Sequence, residues 1–365
     1  MQAAERAAWL RLILSPGLGP RTARQLLGTF GLPDAIFEAG LPALLSTVPE
    51  PLARILAQPP GEEVRLAIEA TEKWLGAAED HTFITLADAS YPQILLTTAD
   101  PPPVLFAIGR VELLNRPAVA IVGSRNATRQ GTENAHGFAR ALAQSGVTIV
   151  SGLALGIDAA AHSGALASDS AASTIGVVGT GVDVIYPASN RRLTLDVLKR
   201  GLVISEFALC TPAIAHNFPR RNRIIAGMTR GVLVVEAALR SGSLITARLA
   251  ADCGRDVFAV PGSIHAPLSK GCHRLIRDGA KLVESANDVL EELGLAGKTS
   301  AESTAPPEPA AHADVLQLLG HDPVDLDQLV QHSRREAGEL VGALLELELA
   351  QYVERLPGNR YQRLR

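Results

Sequence analysis

Between residues 104 and 292, short Val/Ile-rich runs alternate with helical segments, and this pattern restricts the fold more than any other feature of the chain. The runs 118–123, 147–151, 174–179, 202–206, 231–236, 256–260 and 281–283 are apolar at nearly every position, and 104–108 reads as a possible edge strand. A strand that is apolar on both sides must be covered on both sides, and parallel neighbours need long crossover connections. The segments 130–145, 156–167, 219–229 and 243–253 supply helices for those crossovers. The expected class is α/β, an extended Rossmann-like parallel sheet whose ligand sits beyond the carboxyl ends of the strands.

The flanks read differently. The first hundred residues are helical: 4–14, a second helix from Pro20, and more near 33–58 and 62–77. Pro16-Gly17-Leu18-Gly19-Pro20 looks like the turn of a helix-hairpin-helix, with Arg21 and Arg24 on the helix that follows. Its glycine N–H groups suit a DNA phosphate, and a purely structural hairpin is the alternative. The run ADPPPV at 99–104 marks a boundary, and 295–311 is a small-residue, Pro-rich linker. After it come three short helices and a hairpin signal at Pro357-Gly358-Asn359, together a winged helix. The expected domains are therefore 1–100, a helix-hairpin-helix/SAM-like helical domain; 101–294, the Rossmann-like domain; 295–311, the linker; and 312–365, the winged helix. The helix near 335–349 carries Glu336, Glu339, Glu346 and Glu348, with Arg334 and Arg335 only at its start. DNA repels such a helix, so a protein-interaction or regulatory role is favoured. The wing residues Arg355, Arg360, Arg363 and Arg365 keep a DNA alternative open.

A net charge of -4 excludes a globally basic nucleic-acid binder, so any phosphate recognition must be local. The three cysteines form no C-x-x-C pair and read as reduced cytosolic thiols. Cys272-His273 and the scattered histidines lack zinc-ligand spacing, so neither metal nor cofactor is expected. The start carries Glu5 and Arg6 before a short apolar run, unlike a signal peptide, and no run is long enough to span a membrane. A cytoplasmic location is the expectation.

Three strand-end turns carry candidate chemistry: Gly123-Ser124-Arg125-Asn126, Ser151-Gly152 through Asp158, and Gly179-Thr180-Gly181. Glycine permits close backbone approach, while a hydroxyl, free N–H groups and a guanidinium all bind phosphate. Turn geometry alone is the other reading of these glycines. A dinucleotide fingerprint is not completed, because Val184 stands where its third glycine belongs, and no Walker A sequence occurs.

The sharpest signal is His216-Asn217-Phe218-Pro219-Arg220-Arg221-Asn222-Arg223. Pro219 suits a helix start, which places three arginines where the macrodipole disfavours cations. A bound phosphate would reverse that penalty. Arg221 lies toward the apolar side, where pairing with Glu206 or Glu236 is the alternative, and Phe218 suits either base stacking or core packing. Residues 187–230 hold eight basic and two acidic side chains, read as a phosphate-tracking groove or as a solvated face. On the first reading Arg125, Arg220 and Arg223 converge on one seat.

The stretches AVAIVGSRNAT, IVSGLALGIDAAAH, TIGVVGTGVDVIYPASN, FPRRNRIIAGMTRGVLVVEA, SGSLITARLA, GRDVFAVPGS and GCHRLIRDGAKLV span about 117–285 and resemble the DprA/Smf (DNA-processing protein A) family. The resemblance implies single-stranded DNA binding, homodimers, interaction with RecA, and protection and loading of incoming DNA in natural transformation, without enzymatic activity. It maps a DNA pocket onto Gly123, Ser124, Arg125, Gly152, Phe218, Arg221, Asn222 and Arg223. Ala215 and Ala188 stand where many members carry basic residues, and Arg191 and Arg220 are the compensating candidates. The rival is a nucleotide N-glycosidase of the phosphoribohydrolase type. Those enzymes carry P-G-G-x-G-T-x-x-E with a catalytic Glu, and the loop Val260–His265 has none. Glu206, Glu236, His162 and His265 are the remaining acid–base candidates, with His162 better suited to packing a helix.

Overall fold

The computed structural model describes residues 2–295, 312–320, 323–333 and 335–364. The linker assigned to 295–311 falls outside them except for Leu295, as do Arg334 and Arg365. Two compact units emerge, one built from residues up to 127 and 134–296, the other from 128–133 and the C-terminal segment.

The larger unit opens with six helices, α1 (Ala3–Leu14), α2 (Pro20–Phe30), α3 (Pro33–Glu38), α4 (Gly40–Leu45), α5 (Glu50–Ala57) and α6 (Glu62–Leu75). Gly17 has a positive φ of 79°, which turns the chain between α1 and α2, and Pro20 occupies the first turn of α2, where its missing N–H costs nothing. Then come β1 (His81–Thr85), β2 (Val104–Gly109), β3 (Ala118–Val122), α7 (Arg129–Gln144), β4 (Thr148–Ser151), α8 (Ile157–Leu166), β5 (Thr174–Val177), α9 (Arg191–Arg200), β6 (Leu202–Ser205), α10 (Asn217–Gly227), β7 (Gly231–Val234), α11 (Ser243–Asp252), β8 (Asp256–Ala259), α12 (Lys270–Arg277), β9 (Lys281–Leu282) and α13 (Ala286–Glu292).

These strands form one sheet in the order β1-β2-β6-β5-β4-β3-β7-β8-β9. The seven from β6 to β9 are parallel, and the chain reverses its direction of growth at β3, which has β4 on one side and β7 on the other. The fold is Rossmann-like as expected, with two corrections at one end. Strand 104–108 is not an edge: β2 runs antiparallel between β6 and β1, pairing Phe106 with Ser205 and with Phe83. The edge is β1, which lies inside the 1–100 range assigned to the helical domain. The helices share a core with it: Trp9, Leu10, Leu26 and Leu56 belong to the same buried cluster as Phe83, Phe106 and Ile108. His81–Thr85 escaped notice because it is short, follows a helix and begins with His-Thr rather than an aliphatic run.

The smaller unit contains α14 (Ala313–Leu319), β10 (Val324–Asp325), α15 (Leu326–His332), α16 (Ala337–Leu349), β11 (Val353–Leu356) and β12 (Arg360–Arg363), with strand order β10-β12-β11. Gly358 and Asn359 both take positive φ in the hairpin turn. Leu340, Ala343, Leu344 and Leu347 of α16 face its core, while Glu336, Glu339 and Glu346 are exposed. Among the described residues, no helix is long and apolar enough to cross a membrane.

Candidate nucleic-acid interface

The loops after β3, β4 and β5 meet the start of α10 at the carboxyl end of the sheet, around a groove of about 810 Å3. Gly123, Ser124, Arg125, Phe218, Arg221 and Asn222 line it, as do Tyr186, Arg240 and Ser243. A smaller hollow of about 60 Å3 adjoins it and is lined by Gly152, Gly179 and Thr180; the two share Arg125, Tyr186, Phe218 and Arg221.

The glycines here serve the protein's own packing. A Cβ on Gly123 would lie 2.6 Å from Ile157 Cγ1 and 2.8 Å from the Glu236 carbonyl oxygen, and one on Gly152 would strike the Arg221 guanidinium. Gly156 combines a φ of 72° with close approach to the Ser124 and Arg125 carbonyls, so no other residue fits there. The amides expected to face a phosphate are also partly committed. Ser124 N–H donates to the Glu236 carbonyl (2.7 Å), and Asn126 N–H donates to Ser124 Oγ (3.2 Å). Arg125 differs: it is exposed, and its guanidinium has no hydrogen-bond or ion-pair partner among the described residues.

The helix α10 begins at Asn217, two residues before Pro219, so all three arginines still lie near its N-terminus. Their fates diverge. Arg221 is 4% exposed; its Nη1 donates to the carbonyls of Gly152 (2.7 Å) and Val177. Burial holds its pKa down to about 10, against the pull of Asp158, and Arg125 pushes the same way as burial. Asp158 is itself buried, accepts from Gly152 N–H at 3.0 Å, and has its carboxyl pushed up by burial against the pull of Arg221. Arg221 thus has neither Glu206 nor Glu236 as its partner. Arg223 pairs with Glu206, whose side chain is 5% exposed, and donates to the Asp100 carbonyl. It lines neither hollow. Arg220 is exposed, 5.2 Å from the Phe207 ring, and faces a separate small hollow beside Pro20 and Glu206. Arg191 is exposed at the start of α9 and also lines neither hollow.

The single seat expected for Arg125, Arg220 and Arg223 is therefore not formed. The eight cations of 187–230 divide as well: Lys199 and Arg200 end α9 and Arg230 precedes β7, at the opposite end of the sheet from the groove. Sequence position concentrated charge that the crossover helices carry to two ends.

Phe218 is half-buried, and its ring centroid lies 5.4 Å from that of Tyr186, tilted by 39°. A Cβ on Gly179 would lie 3.0 Å from Phe218 Cδ1, so this glycine makes room for the ring. Tyr186 is 46% exposed. Sequence reasoning did not single it out, nor Arg240, Ser241 and Ser243, although an aromatic directly after the third glycine turn was the available signal. His162 lies in the interior: its Nε2 accepts from Leu153 N–H (3.3 Å), while Nδ1 faces Thr174 Oγ1 at 2.7 Å. The Thr174 hydroxyl is spent on the Ile149 carbonyl, so Nδ1–H must be the donor and the ring is neutral. Burial pushes its pKa down to about 3. At the amino end of the unit, Arg24 donates to the Thr98 carbonyl at 2.6 Å, whereas Arg21 is exposed.

Against known proteins, residues 82–294 match the family model of DNA recombination-mediator protein A, residues 3–55 a DprA-like N-terminal HHH domain, and residues 299–359 a DprA winged helix domain. Protein Smf of Escherichia coli is 42% identical over 310 residues, 82% of either chain. DNA processing protein DprA of Streptococcus pneumoniae is 49% identical over 57% of this chain and 73% of its own. A crystal structure of that protein superposes with a TM-score of 0.63, covering 80% of this chain and 98% of the other at 37% identity. DNA processing protein A of Helicobacter pylori, whose structure was described for a single-stranded DNA binding mode, gives a TM-score of 0.53 at 31% identity over 58% of this chain and 95% of its own. With more than half its length matched by the family model and 82% of the Escherichia coli protein covered, the chain belongs to the DNA recombination-mediator protein A family.

Proposed function

We propose that this protein binds single-stranded DNA in the groove at the carboxyl ends of β3, β4 and β5, and acts in recombination by protecting that strand and passing it to RecA. The observation that carries the reading is the pairing, in one groove, of an exposed cation, unpaired among the described residues, with an aromatic pair: Arg125 beside Tyr186 and Phe218. A backbone phosphate needs the first, and an unstacked base needs the second. A duplex hides its base faces, so the same groove disfavours it. Gly123, Ser124, Gly152, Arg221 and Asn222 shape the wall, with Arg221 holding two loops together from behind. Arg191 and Arg220, exposed beyond the groove, act at most as outlying contacts. The relation to the Helicobacter pylori protein supports the ligand class. The family relation supports, by resemblance, a cytoplasmic homodimer with RecA as partner.

A binding role without catalysis is the favoured reading, because two of the four acid–base candidates, Glu206 and His162, are committed elsewhere. Glu206 holds Arg223, and His162 is fixed in the core. The test is fluorescence anisotropy with labelled oligo-dT and with a duplex of equal length, beside an assay for base release from purine ribonucleotides. Preference for the single strand without base release is expected. Equal binding of both forms, or none, sinks the reading, and base release reinstates the glycosidase. Light scattering and a RecA filament assay test the two partner proposals.

A further inference from the structure

The winged-helix unit holds one helix that its own fold covers on one side only. Leu340, Ala343, Leu344 and Leu347 of α16 lie in the core of the unit. At about 3.6 residues per turn, Gly338, Val341, Gly342, Leu345 and Leu349 fall on the opposite side. All five are exposed, Leu345 by 55% and Leu349 by 77%. The outward side of a surface helix ordinarily carries polar side chains, and a helix that is apolar all round is one that something covers. The two glycines point the same way. Neither takes a positive φ, and a Cβ on either would meet nothing within 4 Å among the described residues. Alanine would fit both positions and strengthen the helix. The fold of this unit gives no reason for the pair, whereas a second backbone lying close against the stripe does.

Acids border the stripe, Glu339 and Glu346 on one side and Glu348 on the other. Glu346 accepts from His312 Nε2 at 3.0 Å, and Arg335 donates to the other ring nitrogen. The carboxylates of Glu336, Glu339 and Glu348 have no hydrogen-bond or ion-pair partner among the described residues. No basic residue lies on α16. The helix follows α15 in the place that enters the major groove in helix-turn-helix proteins. Here phosphates would meet carboxylates, and base edges would meet leucines. A second copy of α16 would set acid against acid. The complement of an apolar stripe with acidic margins is an apolar stripe with basic margins.

We propose that α16 is the docking face for a helix of another protein, one that carries its own apolar stripe between Lys or Arg side chains. That helix lies along Gly338 and Gly342, its apolar side chains meet Val341, Leu345 and Leu349, and its cations meet Glu339 and Glu348. The proposal does not depend on what the groove binds. Labelled helical peptides are titrated into the full chain at several salt concentrations: one with Leu and Ala in a single stripe between Lys residues, one with Glu in place of Lys, and one with the Lys peptide shuffled so that no stripe forms. The striped Lys peptide should bind, more weakly as salt rises. The other two should bind at least about tenfold more weakly. Leu345→Asp should lose about tenfold or more in affinity for the striped Lys peptide. Gly342→Gln should weaken it as much while raising the melting temperature, and a merely structural glycine would move the melting temperature alone. Both variants should keep the parent's mass in light scattering and its binding of oligo-dT. Thermal melting confirms that each is folded, and Gly342→Gln carries the test if Leu345→Asp is not. If the parent binds the striped Lys peptide no better than the other two, or the folded variants bind it as the parent does, the docking face is wrong. Loss of self-association in Leu345→Asp would place a second copy on the stripe, and loss of duplex binding would place DNA there; either result overturns the partner helix.

Discussion

Arg125 and Arg221 line the same groove, yet they belong to different parts of the protein's economy. Arg221, on α10, is enclosed: its guanidinium bridges the carbonyls that end β4 and β5, and Asp158 balances its charge. Arg125, on the loop after β3, faces solvent with no hydrogen-bond or ion-pair partner among the described residues. A charge out of water must be paired or bonded, whereas a charge left in water is available to a ligand. The same residue type therefore builds the site on one wall and offers itself to DNA on the other. Arg223 repeats the first case through Glu206, and Arg240 repeats the second.

The largest effect that separates the two walls is on folding. Arg221→Ala strands Asp158 as a buried charge and should cost about 3–5 kcal/mol in urea denaturation, a loss that Arg125→Ala should not share. Equal stability of the two variants would erase the distinction.

The core behind the groove gives a pH signature of its own. His162 has a folded pKa of about 3 against an ordinary 6.5, so the unfolded chain binds its proton more readily. Its contribution to stability is complete above 6.5 and is lost as pH falls from there toward 3, by several kcal/mol in all. Denaturation midpoints across that window should fall less steeply in His162→Asn than in the parent, and parallel profiles would count against the neutral, buried ring.

Smaller changes test the solvent-facing parts. Phe218→Ala should weaken oligo-dT binding by about 1–3 kcal/mol, and a ring that only fills space beside Gly179 would leave affinity untouched while lowering stability. Arg125→Ala should flatten the salt slope by about 0.7 and change stability by no more than about 0.5 kcal/mol. If it unfolds the protein instead, the loop after β3 is structural and the comparison collapses.

Much of this was legible in the chain. Six of the seven parallel strands appear where apolar runs stand, because a covered strand can tolerate little else, whereas β9 is a short exposed edge, Lys281–Leu282. The winged helix was readable from its three amphipathic segments and its Pro-Gly-Asn turn. The edge strand His81–Thr85 was not, since it is held by pairing with β2 and by packing under the N-terminal helices rather than by a pattern of its own. In the site, the cluster of arginines before Ile224 was correctly a local conflict with the helix dipole, but the conflict was resolved from inside. Glu206 and Asp158 are 17 and 63 residues from the arginines they balance, too far along the chain for spacing to reveal.

What the sequence by itself determined was which segments become strands and helices and which turns lie at the carboxyl ends, because those follow from local periodicity, glycine placement and helix signals. What only the tertiary structure decided was which cations are spent inside the protein and which remain for a ligand. That depends on long-range neighbours and on access to water: a guanidinium that meets carbonyls and a carboxylate in the interior holds the fold together, and an identical one at the rim waits for phosphate.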